Sequence, residues 1–139
     1  MHAGKVSIAI VFALLVGGLS VPSQAQTLAA GTSWQNGLGS TLTITNVQAT
    51  GQFSGYYVTA VASPGCQAVG IQQPLIGWIS QSNAITFAVN WTAAGCNSVT
   101  AWSGNYNPNN GNISTIWILS SSPGWSNMNI GSDTFVPRP

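Results

Sequence analysis

From Ser40 onward the chain alternates between apolar side chains and small hydroxyl- or amide-bearing ones, in one short run after another. Thr41-Leu42-Thr43-Ile44-Thr45 is the clearest example, with Ser40, Leu42 and Ile44 on one face. Successive side chains of a β-strand point to opposite sides of the sheet, so a period of two marks a strand with one dry face. Phe53, Gly55, Tyr57, Thr59 and Val61 share a face of the next run. After a stretch near Leu75 to Ser80, Ile85, Phe87, Val89 and Trp91 share a face. Ser98, Thr100, Trp102, Gly104 and Tyr106 share another, and then Ile113, Thr115, Trp117 and Leu119. Ser132 to Val136 is the last run, and Ser33 to Gln35 a short first one. No helical period interrupts them, and turns such as Ala49-Thr50-Gly51 and Asn107-Pro108-Asn109-Asn110-Gly111 join them. About eight strands linked in this way predict an all-β fold, an antiparallel up-and-down barrel laid out as a meander.

One face of most runs is bulky or aromatic, and the other carries mainly Thr, Ser, Ala and Asn. In water the bulky face turns inward, and a barrel of about eight strands has a bore just wide enough for side chains or one small ligand. A membrane barrel requires the reverse, an apolar exterior around a polar lumen. Ile116 and Ile118 depart from the rule, because they lie opposite Trp117 and Leu119 and make that run apolar on both sides. With no helix to cover it, the expected cover is another subunit.

Charge narrows the chemistry. Charged side chains are 2% of the chain, against about 25% in an ordinary soluble domain. Lys5, the apolar run Val6 to Leu19 and the small residues Ser23-Gln24-Ala25 read as a secretory signal over 1–25, leaving one domain over 26–139. Once His2 and Lys5 leave with it, Asp133 and Arg138 are the only formally charged side chains. General acid–base work needs a positioned titratable group, and a Ser or Cys nucleophile needs a base beside it. A glycosidase needs a pair of carboxylates, and metal sites draw on His, Cys and acids. The expectation is a binding protein that is not an enzyme and carries no metal or cofactor. A net charge of +1 gives no purchase on nucleic acid or an anionic membrane. Export, to the periplasm or outside the cell, makes a disulfide the default reading of Cys66 and Cys96, whose loops lie at the same open end of a meander.

Four stretches carry a resemblance: Gly31-Thr32-Ser33-Trp34-Gln35-Asn36-Gly37-Leu38-Gly39-Ser40, Gly55-Tyr56-Tyr57-Val58-Thr59-Ala60-Val61, Ser98-Val99-Thr100-Ala101-Trp102-Ser103-Gly104, and Gly131-Ser132-Asp133-Thr134-Phe135. With Phe87-Ala88-Val89-Asn90-Trp91 and Trp117-Ile118-Leu119, they resemble the avidin–streptavidin family of biotin-binding proteins in order and over nearly the whole exported chain. The resemblance implies roles. Asn36, Ser40 and Tyr57 match donors to the ureido oxygen of biotin, and Thr59 and Asp133 match acceptors for its two N–H groups. Trp91, Trp102 and Trp117 match indole walls, and Thr100 a contact to the thioether sulfur. Leu38, Val61 and Leu119 match apolar lining, while Ser98 and Ser63 fall near the carboxylate end. Trp125 matches the tryptophan that closes a neighbouring subunit's site in tetrameric members. The placement of Cys66 and Cys96 instead resembles the bacterial dimeric branch, so a homo-oligomer is implied with its subunit number open between dimer and tetramer. Two other readings of the same residues are a binding module for a different polar ring, such as a sugar or purine, and a surface protein that polymerises through strand edges.

Overall fold

A computed structural model describes residues 27–121 and 128–139. In it the strands β1 (Ser33–Asn36), β2 (Thr41–Val47), β3 (Gln52–Val58), β4 (Gln72–Ile79), β5 (Ala84–Asn90), β6 (Ser98–Tyr106), β7 (Ile113–Ser121) and β8 (Met128–Arg138) form one closed barrel. Each strand pairs antiparallel with its neighbours in sequence, and β8 returns to pair with β1. The eight-stranded meander expected from the alternation is therefore the architecture. The leader read over 1–25 lies outside the described residues.

Closure leaves no sheet edge, so the backbone ladder is satisfied all the way round. Inward residues supply the core. Trp34, Leu42, Ile44, Phe53, Phe87, Val89, Ile113 and Phe135 are essentially without solvent contact. One end of the barrel is sealed by Trp34, whose indole N–H donates to the carbonyl of Gly111 in the β6–β7 turn at 2.7 Å. The other end carries the connections β1–β2, β3–β4 and β5–β6, the last containing a single 3-10 turn at Thr92–Ala94.

Several boundaries differ from the alternation. β3 stops at Val58, not Val61, because the Thr59 hydroxyl accepts the Val61 N–H at 3.0 Å and turns the chain out of the ladder. β4 starts at Gln72, earlier than Leu75, through Gln72-Gln73-Pro74, which has neither apolar alternation nor a full set of backbone donors. β8 extends in both directions from the Ser132 to Val136 run.

The register also aligns the outer wall. Ile76 pairs with Ala88, Ala88 with Ala101, Ala101 with Ile118, and Ile118 with Ile130. The result is an apolar row across five strands, with Ile116 at 62% and Ile130 at 68% exposure on or beside it.

Candidate functional site

The alternation of β8 turns Ser132 and Thr134 to solvent and Asp133 inward. Its carboxylate receives two hydrogen bonds inside the barrel, from the Trp102 indole N–H at 3.0 Å and from the Asn36 amide at 3.2 Å. Hydrogen bonds to an ionised acceptor are about twice as strong as neutral ones and stronger still in a dry interior. The Thr115 hydroxyl donates to the Asp133 carbonyl at 3.2 Å, which pins the backbone beneath the side chain.

Asn36 is oriented by its own turn. The β1–β2 connection bends through Gly39, whose φ of +90° suits a residue without a Cβ. This brings the N–H groups of Leu38 and Ser40 to the Asn36 side-chain oxygen at 3.1 and 2.9 Å. That oxygen must accept both, so the NH2 group faces inward, toward Asp133 and, at 3.5 Å, the Tyr57 hydroxyl. Burial pushes the Tyr57 phenol well above the ordinary tyrosine range. A hydrogen bond from Ser40 opposes that shift, and the charge of Asp133 adds to it. Tyr57 thus keeps its proton and remains a donor. Ser40 is held in turn by the Ala60 N–H, which donates to its hydroxyl at 3.0 Å.

Aromatic rings wall this polar cluster. Tyr57 lies 5.0 Å from Trp102 and 5.8 Å, edge-on, from Trp91, while Trp102 stacks on Phe87 at 5.1 Å. The Trp91 indole N–H is spent on the Thr100 hydroxyl at 2.8 Å, which fixes both on the inner wall. Nearer the open end is a cavity of about 530 Å³, within the range of small-molecule sites. Thr59, Val61, Ser63, Trp91, Ser98 and Leu119 line it. So do Cys66 and Cys96, joined as a disulfide with their Cα atoms 4.9 Å apart, which ties the β3–β4 loop to the β5–β6 loop.

The sequence-derived residues therefore fall into two layers. Six line the outer cavity. Asn36, Ser40, Tyr57, Trp102 and Asp133 form the connected cluster closer to the sealed end. Thr100 is buried on the inner wall between them, and Trp117 is half-buried there. Leu38 is 69% exposed at the tip of the β1–β2 turn and stands apart from both layers. Trp125 lies outside the described residues. Three positions are given no role in the site by the sequence reading. Asn129 lines the cavity. Gly131 is the cross-strand partner of Trp117. Gln73, cross-strand from Tyr57, is 1% exposed, and its side-chain oxygen has no partner among the described residues. The inward turn of Gln73 was hidden by the adjoining Pro74.

A carboxylate and hydrogen-bond donors walled by aromatic rings suit the retention of a small polar molecule. Among the described residues there is no group of three or more His, Cys, Asp or Glu side chains to hold a metal. The fold and the site define a ligand-holding barrel. More specifically, the chain belongs to the avidin family, whose model matches residues 24–138. Afifavidin from Afifella pfennigii is 38% identical over 115 residues, spanning 78% of this chain and 69% of its own. Avidin from Gallus gallus is 32% identical over 116 residues, spanning 74% of each. Among solved structures, a biotin complex of a single-substitution variant of shwanavidin matches with a TM-score of 0.71 at 36% identity, covering 82% of this chain and 100% of that one. Core-bradavidin matches with a TM-score of 0.68 at 33% identity, covering 77% and 98%.

Proposed function

We propose that this protein binds biotin non-covalently inside its barrel. The observation that carries the reading is the inward Asp133 carboxylate, set beside Asn36, Ser40 and Tyr57 in an aromatic enclosure. A cyclic urea presents one oxygen flanked by two N–H groups. Donors from Asn36, Ser40 and Tyr57 on that oxygen draw electron density toward it. The N–H side becomes more positive, and Asp133 and Thr59 accept from it. Each hydrogen bond reinforces the next, because they polarise the same conjugated group in a site shielded from water. Trp91, Trp102 and Trp117 supply rigid apolar area against the ring system and its chain. The cavity under the disulfide takes the chain and its carboxylate, with Ser63 and Ser98 at that end. Val61 and Leu119 line the passage, and Thr100 completes the set against the sulfur.

In this reading biotin is a guest and not a cofactor, and the protein performs no reaction on it. Export over a cleaved 1–25 leader fits the Cys66–Cys96 disulfide, which persists outside the reducing cytosol. The uncharged outer row Ile76–Ala88–Ala101–Ile118–Ile130 supports a homo-oligomer, dimer or tetramer, that covers it. Trp125 closes a site across that assembly only where subunits share sites, and then Trp125→Ala speeds biotin release.

A ligand that binds only the native state must stabilise it. Biotin in excess is expected to raise the melting temperature by many degrees, while a monosaccharide or a purine leaves it unchanged. No rise with biotin, or an equal rise with the other two, contradicts the reading.

A further inference from the structure

The inner wall contains one cross-strand row in which every member is aromatic or glycine: Phe53, Gly77, Phe87, Trp102, Trp117 and Gly131, on β3 to β8 in turn. The glycines occupy defined places in it. A Cβ on Gly131 would run into the ring of Trp117 at three atoms, Cζ2, Cε2 and Nε1. A Cβ on Gly77 would run into the Phe53 ring, the Thr86 backbone carbonyl and the Phe87 Cβ. The Trp117 and Phe53 rings thus lean into space that the two glycines leave bare. At Gly131 this does more than pack a core, because Trp117 is half-buried and its neighbours along the same faces of β7 and β8 are Leu119 and Asn129, which line the cavity, and Asp133.

We propose that Gly131 is a positioning residue of the binding site: its missing side chain is the seat that holds the Trp117 indole flat against the wall and keeps the bore open for the ligand. The inference rests on the biotin reading for its ligand but on geometry for its mechanism. With any larger residue at 131, the indole must tip off the wall toward the barrel axis, into the space the guest needs. Two inward residues of one short motif then divide the work. Gly131 shapes the wall, and Asp133 supplies the charge two residues on.

The test is a cycle of Gly131→Ala, Trp117→Phe and the double variant, measured for biotin dissociation and by near-ultraviolet circular dichroism without ligand. Gly131→Ala is expected to speed dissociation by at least about tenfold and to change the aromatic signal, since a displaced contact wall loses packing with the guest. In the Trp117→Phe background, where the smaller ring spares the clash, the same substitution is expected to change the rate less than about threefold. Native dissociation in Gly131→Ala, or the same factor in both backgrounds, overturns the proposal. Should Gly131→Ala fail to fold, recovery of folding in the double variant supports the seat, and failure of both overturns it. The unliganded dichroism reads the ring whether or not biotin binds. Biotin titration of the native protein tests the underlying reading separately.

Discussion

Asp133 and its two donors show how a single residue sets the character of this lumen. The carboxylate is shared between Trp102 and Asn36, so it is already in place before a guest arrives. Asp133→Asn removes the charge while keeping the shape. Biotin affinity is expected to fall on the order of 10- to 100-fold, from about 1.5–3 kcal/mol for a hydrogen bond to a charged group. Titration calorimetry checks this, and unchanged affinity removes Asp133 from its role. Tyr57 makes a prediction about pH. Its folded-state pKa is raised by burial, so the stability it contributes is complete below the ordinary tyrosine value of 10.0 and is lost as pH climbs beyond it. Denaturant midpoints are expected to hold steady up to about pH 9 and then fall, with the fall reduced in Tyr57→Phe. Equal alkaline loss in both proteins refutes the assignment. Gln73 runs the other way, as a buried amide oxygen without a partner among the described residues. Gln73→Leu is expected to raise the unliganded melting temperature by roughly 3–6 °C, the equivalent of about 1 kcal/mol regained. A lower melting temperature shows that the oxygen is satisfied within the fold.

At the scale of elements, the alternation of Thr41 to Thr45 and of Ile85 to Trp91 is enough to read β2 and β5, because each buries one whole face. The start of β4 is not legible, since two glutamines and a proline carry neither periodicity nor β-propensity; closure of the barrel holds them in the ladder. The site divides in the same way. Asp133, Tyr57 and the tryptophans stand out by chemistry and by family resemblance. Gln73 does not, and Gly131 appears only within the motif around Asp133, because the part of each depends on what lies across the strand. The loops behave as elements too. The Cys66–Cys96 bridge closes a 30-residue separation and joins two walls of the cavity. Replacing both cysteines by serine is expected to cost roughly 3–4 kcal/mol of stability and to speed biotin release, because a loosened mouth must be ordered again on each binding event. Denaturant unfolding and dissociation kinetics on the double variant check both. Native release with lower stability confines the bridge to the fold.

The whole molecule is a barrel whose described charges are an inward carboxylate and an exposed arginine at the end of β8. Its outer wall bears an apolar row where a soluble surface ordinarily carries charge. Ile118→Glu places a carboxylate in the middle of that row, and light scattering is expected to show the proposed homo-oligomer dissociated into single subunits. An unchanged particle, or a native protein that is already monomeric, removes the row as an interface. In the proposed reading the interior answers to a guest and the exterior to a second copy. Native mass spectrometry with and without biotin reads both at once. The account predicts a discrete homo-oligomer that gains one biotin per subunit and keeps it into the gas phase. A chain that emerges with no biotin attached, at ligand concentrations far above the protein's, contradicts it.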